Sequence, residues 1–193
     1  MEKNKIVKNP FIKNLQKQKK LLISIDKKNK FNFKIGNKIV GKEKIIFAGP
    51  CSVESRNMII NFSKKLKKLG IHGIRGGAYK PCTFPIRTEV NGWKEGIKFK
   101  GLQFLSEVRE ITGLPIVSEL MDARQIQRSL PFIDVIQVGT RNFQNYTLLD
   151  ELGKIDKPVM LKRGTWGTID EILGSAERIL NGGNHKVMIC LRG

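Results

Sequence analysis

Six short, almost unbroken apolar runs recur along this chain with segments of helical periodicity between them, and this alternation limits its folding more than any other feature. The runs are 45–48, 73–74, 115–117, 133–136, 158–161 and 186–189. Strands that are apolar throughout, without polar alternation, are those covered on both faces, as in parallel sheets. After the first run Met58, Ile59, Phe62, Leu66 and Leu69 keep helical spacing, and Gly70 is a suitable terminator. Leu102, Leu105, Val108 and Ile111 form a second apolar stripe, ended by Gly113. Thr168 and Glu171 have the spacing of a capping box, and Ile169, Ile172, Leu173, Ala176, Ile179 and Leu180 share one face of the helix that follows, stopped at Gly182-Gly183. Strands joined through helices require right-handed crossovers and a parallel α/β sheet. An open doubly wound sheet and an incomplete barrel both satisfy the pattern. In either, chemistry belongs just beyond the carboxyl ends of the strands.

What precedes the first run differs in character. Residues 1–30 are charged, low in complexity and weakly periodic, and are expected to form a basic, poorly packed extension. Over 31–44, Phe31, Phe33 and Ile35 alternate with polar neighbours, Gly36-Asn37 follows, and Ile39-Val40 resumes the apolar signal, as in a β-hairpin. The expected division is therefore extension 1–30, hairpin 31–44 and strand–helix body 45–193. The formal charge is +19, and residues 1–44 hold fourteen lysines against three acids, so more than half of the excess sits there. The remaining cations are scattered, with no aromatic platform interleaved as single-strand binders need, which ranks a basic nucleic-acid-binding module last. No run approaches the roughly 18 apolar residues of a membrane span, and Met1–Lys8 shows no secretory signal. Three widely spaced cysteines without a CxxC pair point to a reducing cytoplasm rather than a disulfide framework.

The strand ends carry the chemistry. The first run ends in Ala48-Gly49-Pro50-Cys51-Ser52-Val53-Glu54-Ser55 and the second in Arg75-Gly76-Gly77-Ala78-Tyr79-Lys80-Pro81. The third ends in Ser118-Glu119, the fourth in Gly139-Thr140-Arg141-Asn142, the fifth in Lys162-Arg163-Gly164 and the sixth in Cys190-Leu191-Arg192-Gly193. One cation at a strand end is ordinarily a solvated surface residue; cations delivered to one rim by several strands, beside tightly turning glycine, suit a small multiply charged anion. A phosphate plus a carboxylate would use them all. Cys51 is open to three readings: a small buried hydrophobe, a nucleophile or a metal ligand. His72 and His185 lie at strand starts, on the opposite rim, so neither can serve Cys51 as a base.

These segments resemble 3-deoxy-7-phosphoheptulonate synthase, in the phosphoenolpyruvate-condensing class that also includes 3-deoxy-manno-octulosonate 8-phosphate synthase. The motifs AGPCSVES, IRGGAYKP, SEL-x-D, IQVGTRNFQN, KPVMLKRG-x-x-x-TIDE and IC-x-RG stand in family order over about residues 31–193, and RGGAYKP separates the chain from the octulosonate enzymes. The resemblance implies a (β/α)8 TIM-type barrel, incomplete here at about six of eight strands, preceded by a short hairpin. It implies condensation of phosphoenolpyruvate with erythrose 4-phosphate, opening the shikimate route to aromatic amino acids, with a divalent metal (Mn, Fe, Zn or Co class) polarising the aldehyde. Carried over by motif, Arg75, Lys80 and Lys162 hold phosphoenolpyruvate at its carboxylate and bridging oxygen, and Arg141 and Arg192 clamp its phosphate. Glu119 positions a water, Lys80 and Glu119 being the catalytic pair; Thr83 touches the aldose, and Cys51 is the first metal ligand. Cys82 and Phe84 depart from the family's K-P-R-T-S-P, which removes an arginine for the aldose phosphate; Arg87 is a substitute. Leu191 stands for a Glu and Thr140 for an Ala.

The family supplies its other metal ligands, a His, a Glu and an Asp, from two further strands. With three of four ligands beyond Gly193, the resemblance implies an active site completed by a homo-oligomer or a companion fragment, or else an inert remnant that retains phosphoenolpyruvate binding. About 44 residues precede the first strand, so no attached regulatory domain is expected.

Overall fold

The computed structural model describes residues 32–81 and 96–191. The first described element is the hairpin, β1 (Phe33–Ile35) and β2 (Lys38–Val40), antiparallel with Phe33 opposite Val40 across the Gly36-Asn37 turn. Six strands follow: β3 (Phe47–Ala48), β4 (Gly73–Arg75), β5 (Ile116–Leu120), β6 (Val135–Val138), β7 (Val159–Lys162) and β8 (Val187–Cys190). All are parallel, and their order in the sheet is their order in sequence. A doubly wound sheet reverses its strand order at a switch point; this one never does. The sheet therefore winds in one sense only, as a barrel does, and the choice that periodicity left open is settled in favour of six strands of an incomplete (β/α)8 barrel.

Helices cover the outer face. They are α1 (Arg56–Lys68), α2 (Phe99–Thr112), the short α3 (Ile126–Ser129), α4 (Tyr146–Gly153) and α5 (Ile169–Asn181). Ser55 caps α1 by accepting from the Met58 amide, and Gly113 ends α2 in the left-handed conformation. The capping box at Thr168 and Glu171 is formed as expected. Periodicity did not single out α3 or α4, which are too short to show a stripe. It also placed Phe62, Leu69, Ile111 and Ile169 on apolar faces, yet all four are exposed, Leu69 at 76%. In α1 the inner face runs instead through Ile59, Ile60 and Ser63.

Two separate cores form among the described residues. The larger lies between sheet and helices and includes Ile59, Ile74, Leu102, Leu105, Ile116, Leu120, Ile136, Val138, Leu149, Val159, Leu161 and Ile179. The smaller lies on the inner face of the sheet, where Phe33 and Ile35 of the hairpin bury against Val117 and Val135, with Phe47, Met160 and Met188 packed around them. The hairpin thus plugs the inner face near the amino ends of the strands. At that same end His72 accepts a hydrogen bond at Nδ1 from the Ile46 amide (3.1 Å), which places it opposite the cationic rim, as the sequence indicated. Among the described residues no helix is long and apolar enough to cross a membrane.

Candidate functional site

Two residues beyond the inner apolar layer, the same strand faces turn polar. Val117 is followed on the inner face by Glu119, Val135 by Gln137, Met160 by Lys162 and Met188 by Cys190, because side chains in a strand repeat every second residue. The ladder sets Glu119 directly opposite Gln137, and Lys162 opposite Cys190. Arg75, the last residue of β4, lies on the same face, opposite Val117.

Glu119 is the centre of this layer and is only 4% exposed. Gln137 donates from Nε2 to Glu119 Oε2 (2.7 Å), and Arg75 donates from Nε to Gln137 Oε1 (3.2 Å). Arg75 also donates from Nη1 to the Pro50 carbonyl (3.0 Å), which ties the end of β3 to the end of β4. Burial raises the Glu119 carboxyl above its ordinary value; the charges of Lys80, Arg75 and Lys162 and the Gln137 hydrogen bond oppose this without cancelling it. Three cations thus face one carboxylate, a surplus of positive charge in a partly desolvated place.

Two glycines make the arrangement possible. A side chain at Gly139 would place its Cβ 1.9 Å from Glu119 Oε1, so only glycine lets the carboxylate lie against the backbone after β6. Gly49 adopts φ +151°, and a Cβ there would meet the Arg75 carbonyl oxygen at 1.9 Å.

The expected site residues fall as follows. Arg75, Lys80, Glu119 and Lys162 come together. Lys80 is half-buried and donates to the Pro81 carbonyl (3.3 Å). Arg141 lies in a 3-10 turn, Thr140–Asn142, just beyond β6, and is exposed. Cys51 is a free, exposed thiol after β3. Thr83 and Arg192 lie outside the described residues, as do Cys82, Phe84 and Arg87. Sequence reasoning missed Gln137, which links Arg75 to Glu119. Its signal was available: it stands two residues before Gly139 in the same period-two register. Ser118, buried on the outer face, was missed as a fastener; its Oγ accepts from the Ala78 amide (3.3 Å) and steadies the segment carrying Lys80.

Among the described residues no three His, Cys, Asp or Glu side chains converge as a metal would require. Taken alone, the described residues do not fit a metal centre, although Cys51 is a suitable single donor on the cationic rim.

The family model for the DAHP synthetase I family matches residues 21–193. The chain belongs to this family. The phospho-2-dehydro-3-deoxyheptonate aldolase of Thermotoga maritima is 43% identical over 148 residues, covering 77% of this chain and 42% of that protein. The 2-dehydro-3-deoxyphosphooctonate aldolase of Desulfotalea psychrophila is 29% identical over 158 residues, or 79% of this chain and 55% of that protein. Among solved structures, that of the T. maritima DAHP synthase superposes with a TM-score of 0.73 at 38% identity, covering 84% of this chain and 46% of that one. A truncated form of the T. maritima synthase gives 0.69 at 37% identity, covering 84% and 57%. The chain spans roughly half the length of the curated relatives it matches, and the six-stranded barrel sheet with its antiparallel hairpin is the family's fold in that part.

Proposed function

We propose that this chain binds phosphoenolpyruvate at the carboxyl ends of β4–β7 and forms part of an enzyme that condenses it with erythrose 4-phosphate to 3-deoxy-7-phosphoheptulonate. The observation that carries this is the surplus of cations around the buried Glu119. Arg75, Lys80 and Lys162 exceed the one carboxylate they surround, and a ligand bearing both a carboxylate and a phosphate offsets them. Membership of the DAHP synthetase I family supports the choice of ligand and reaction.

In this reading Arg75, Lys80 and Lys162 receive the carboxylate and bridging oxygen, Arg141 and Arg192 receive the phosphate, and Thr83 touches the aldose. Gln137 holds Arg75 and Glu119 at a fixed separation, so neither must be ordered when the ligand arrives. The reaction forms a bond from the enol carbon to the aldehyde carbon; water adds to the carbon bearing the phosphate, and phosphate departs. Glu119 holds that water, accepting its hydrogen bond with the oxygen not engaged by Gln137. Cys51 is the residue proposed to contribute to a divalent metal site, its further donors coming from beyond the described residues. The proposed assembly is a homo-oligomer.

Titration calorimetry with phosphoenolpyruvate, in the presence of a chelator and then of manganese, tests the reading. Binding is expected under both conditions, with at least a tenfold loss in Lys162→Gln. A folded chain that takes up no phosphoenolpyruvate would overturn it. Consumption of phosphoenolpyruvate on addition of erythrose 4-phosphate reads the second half of the claim.

A further inference from the structure

A second place on this rim is furnished for an anion, and it shares no residue with the Glu119 cluster. A cavity of about 270 Å³ is lined by Tyr79, from the segment after β4, and by Asp122, Arg124, Gln125 and Arg128, from the segment after β5. Its one carboxylate is already committed. Asp122 accepts from Arg124 Nε (2.9 Å), Arg124 Nη2 (2.7 Å) and the Arg124 amide (2.8 Å). The Arg124 side chain holds the Asp122 carboxyl down to about 2, so the clamp persists across the physiological range.

The remaining polar capacity consists of donors. Arg124 keeps Nη1. The Arg128 guanidinium lies 3.8 Å over the Phe99 ring and makes no hydrogen bond among the described residues. Gln125 Oε1 accepts from the Met121 amide (2.9 Å), which leaves its NH₂ group unspent. The Tyr79 hydroxyl has no hydrogen-bond partner among the described residues. Two guanidiniums, an amide and a phenol thus border one cavity with a net positive charge, which repels a cation. The Arg128 guanidinium is positioned beforehand by stacking on Phe99, so less of its side-chain freedom is lost on binding, while the exposed Arg124, paired with Asp122, stands at the edge of the cavity. A carboxylate offers two oxygens to the Arg128 fork, Arg124 Nη1 and the other donors. The three terminal oxygens of a phosphoryl group match them. The volume exceeds that of a bare phosphate and leaves room for a small organic group.

We propose that this cavity is a second anion site, for the phosphoryl group of inorganic phosphate or a small phosphate monoester. It stands independently of the reading given for the Glu119 cluster.

The test is an NMR titration of the full chain with inorganic phosphate and, separately, with glycerol 3-phosphate, following the Gln125 side-chain amide and Arg128 Nε resonances. Saturable shifts are expected in the wild-type chain. They should persist in Lys162→Gln and weaken at least tenfold in Arg128→Gln and in Arg124→Gln, each checked for native circular dichroism. Equal affinity for the two ligands assigns the site to phosphate itself; tighter binding of glycerol 3-phosphate assigns it to a monoester. The absence of saturable shifts with both ligands overturns the proposal, as does loss of the shifts in Lys162→Gln or their persistence unchanged in both arginine variants. The part of phosphoenolpyruvate binding that is lost in Lys162→Gln reads the Glu119 cluster, and so separates failure here from failure of the proposed function.

Discussion

Glu119 lies where an ionised side chain is costly, and its protonation should be visible in stability. The native state holds this proton more tightly than the unfolded chain, because burial raises the folded pKa. The unfolding free energy therefore falls as pH rises from the ordinary glutamate range through that raised value. Glu119→Gln removes the effect, so the stability of the variant relative to wild type should grow with pH, as read by urea unfolding at stepped pH values. Asp150 and Glu171, held low by hydrogen bonds from Arg178 and from the Thr168 amide, titrate alike in both proteins and drop out of the difference. A difference that stays constant or shrinks with pH would contradict the burial argument. Gly139→Ala tests the same carboxylate sterically. A Cβ 1.9 Å from Oε1 forces Glu119 off Gln137, and the expected cost is about 1–3 kcal/mol of stability with at least a tenfold loss of phosphoenolpyruvate affinity. The residue types of this site were legible in the sequence as strand-end cations. The Gly139 contact was not, since it joins segments 20 residues apart in the chain and nothing local to either announces it.

Among the helices, what could be read from sequence depended on length. The capping box of α5 is a local pattern and was readable; Thr168→Ala should cost about 0.5–2 kcal/mol in chemical denaturation, since the cap holds the Glu171 amide and Glu171 returns the bond to the Thr168 amide. In α1 the helix was readable but its buried face was displaced. Phe62 and Leu69 fit the stripe by spacing, yet Ile60 and Ser63 take the inward positions and Leu69, the last residue before the Gly70 turn, reaches solvent at 76% exposure. Ile59→Ala should therefore cost about 2–5 kcal/mol, while Leu69→Ser stays within about 0.5 kcal/mol of wild type. Equal losses from the two would mean that Leu69 packs against something in solution. The four-residue α3 and eight-residue α4 span too few turns to set up a periodic signal, so tertiary packing of Ile126, Leu148, Leu149 and Leu152 decides them.

For the molecule as a whole, the alternation of runs and helical segments limited the fold to two sheets, and the motifs pointed to the barrel. Strand order, which distinguishes the two physically, is a property of long-range pairing that no window of sequence contains. The ladder is uneven: β5 and β6 pair over four residues at the centre, whereas β3 joins β4 through only two. Amide hydrogen exchange should accordingly be slowest at Val117–Leu120 and Val135–Val138, and faster at Phe47-Ala48. Uniform protection would show that β3 is stabilised from its other side.

The two layers of the inner face have an evolutionary consequence. Val117 and Glu119, Val135 and Gln137, and Met160 and Lys162 are each separated by a single residue, so the support under the site and the site itself are written on the same strands in the same phase. Inserting or deleting one residue between the two would put the charged group and its apolar anchor on opposite faces of the sheet. Strand lengths are therefore frozen in descendants of this chain, and divergence is confined to point substitutions on the rim and to the lengths of the segments that join one strand to the next helix.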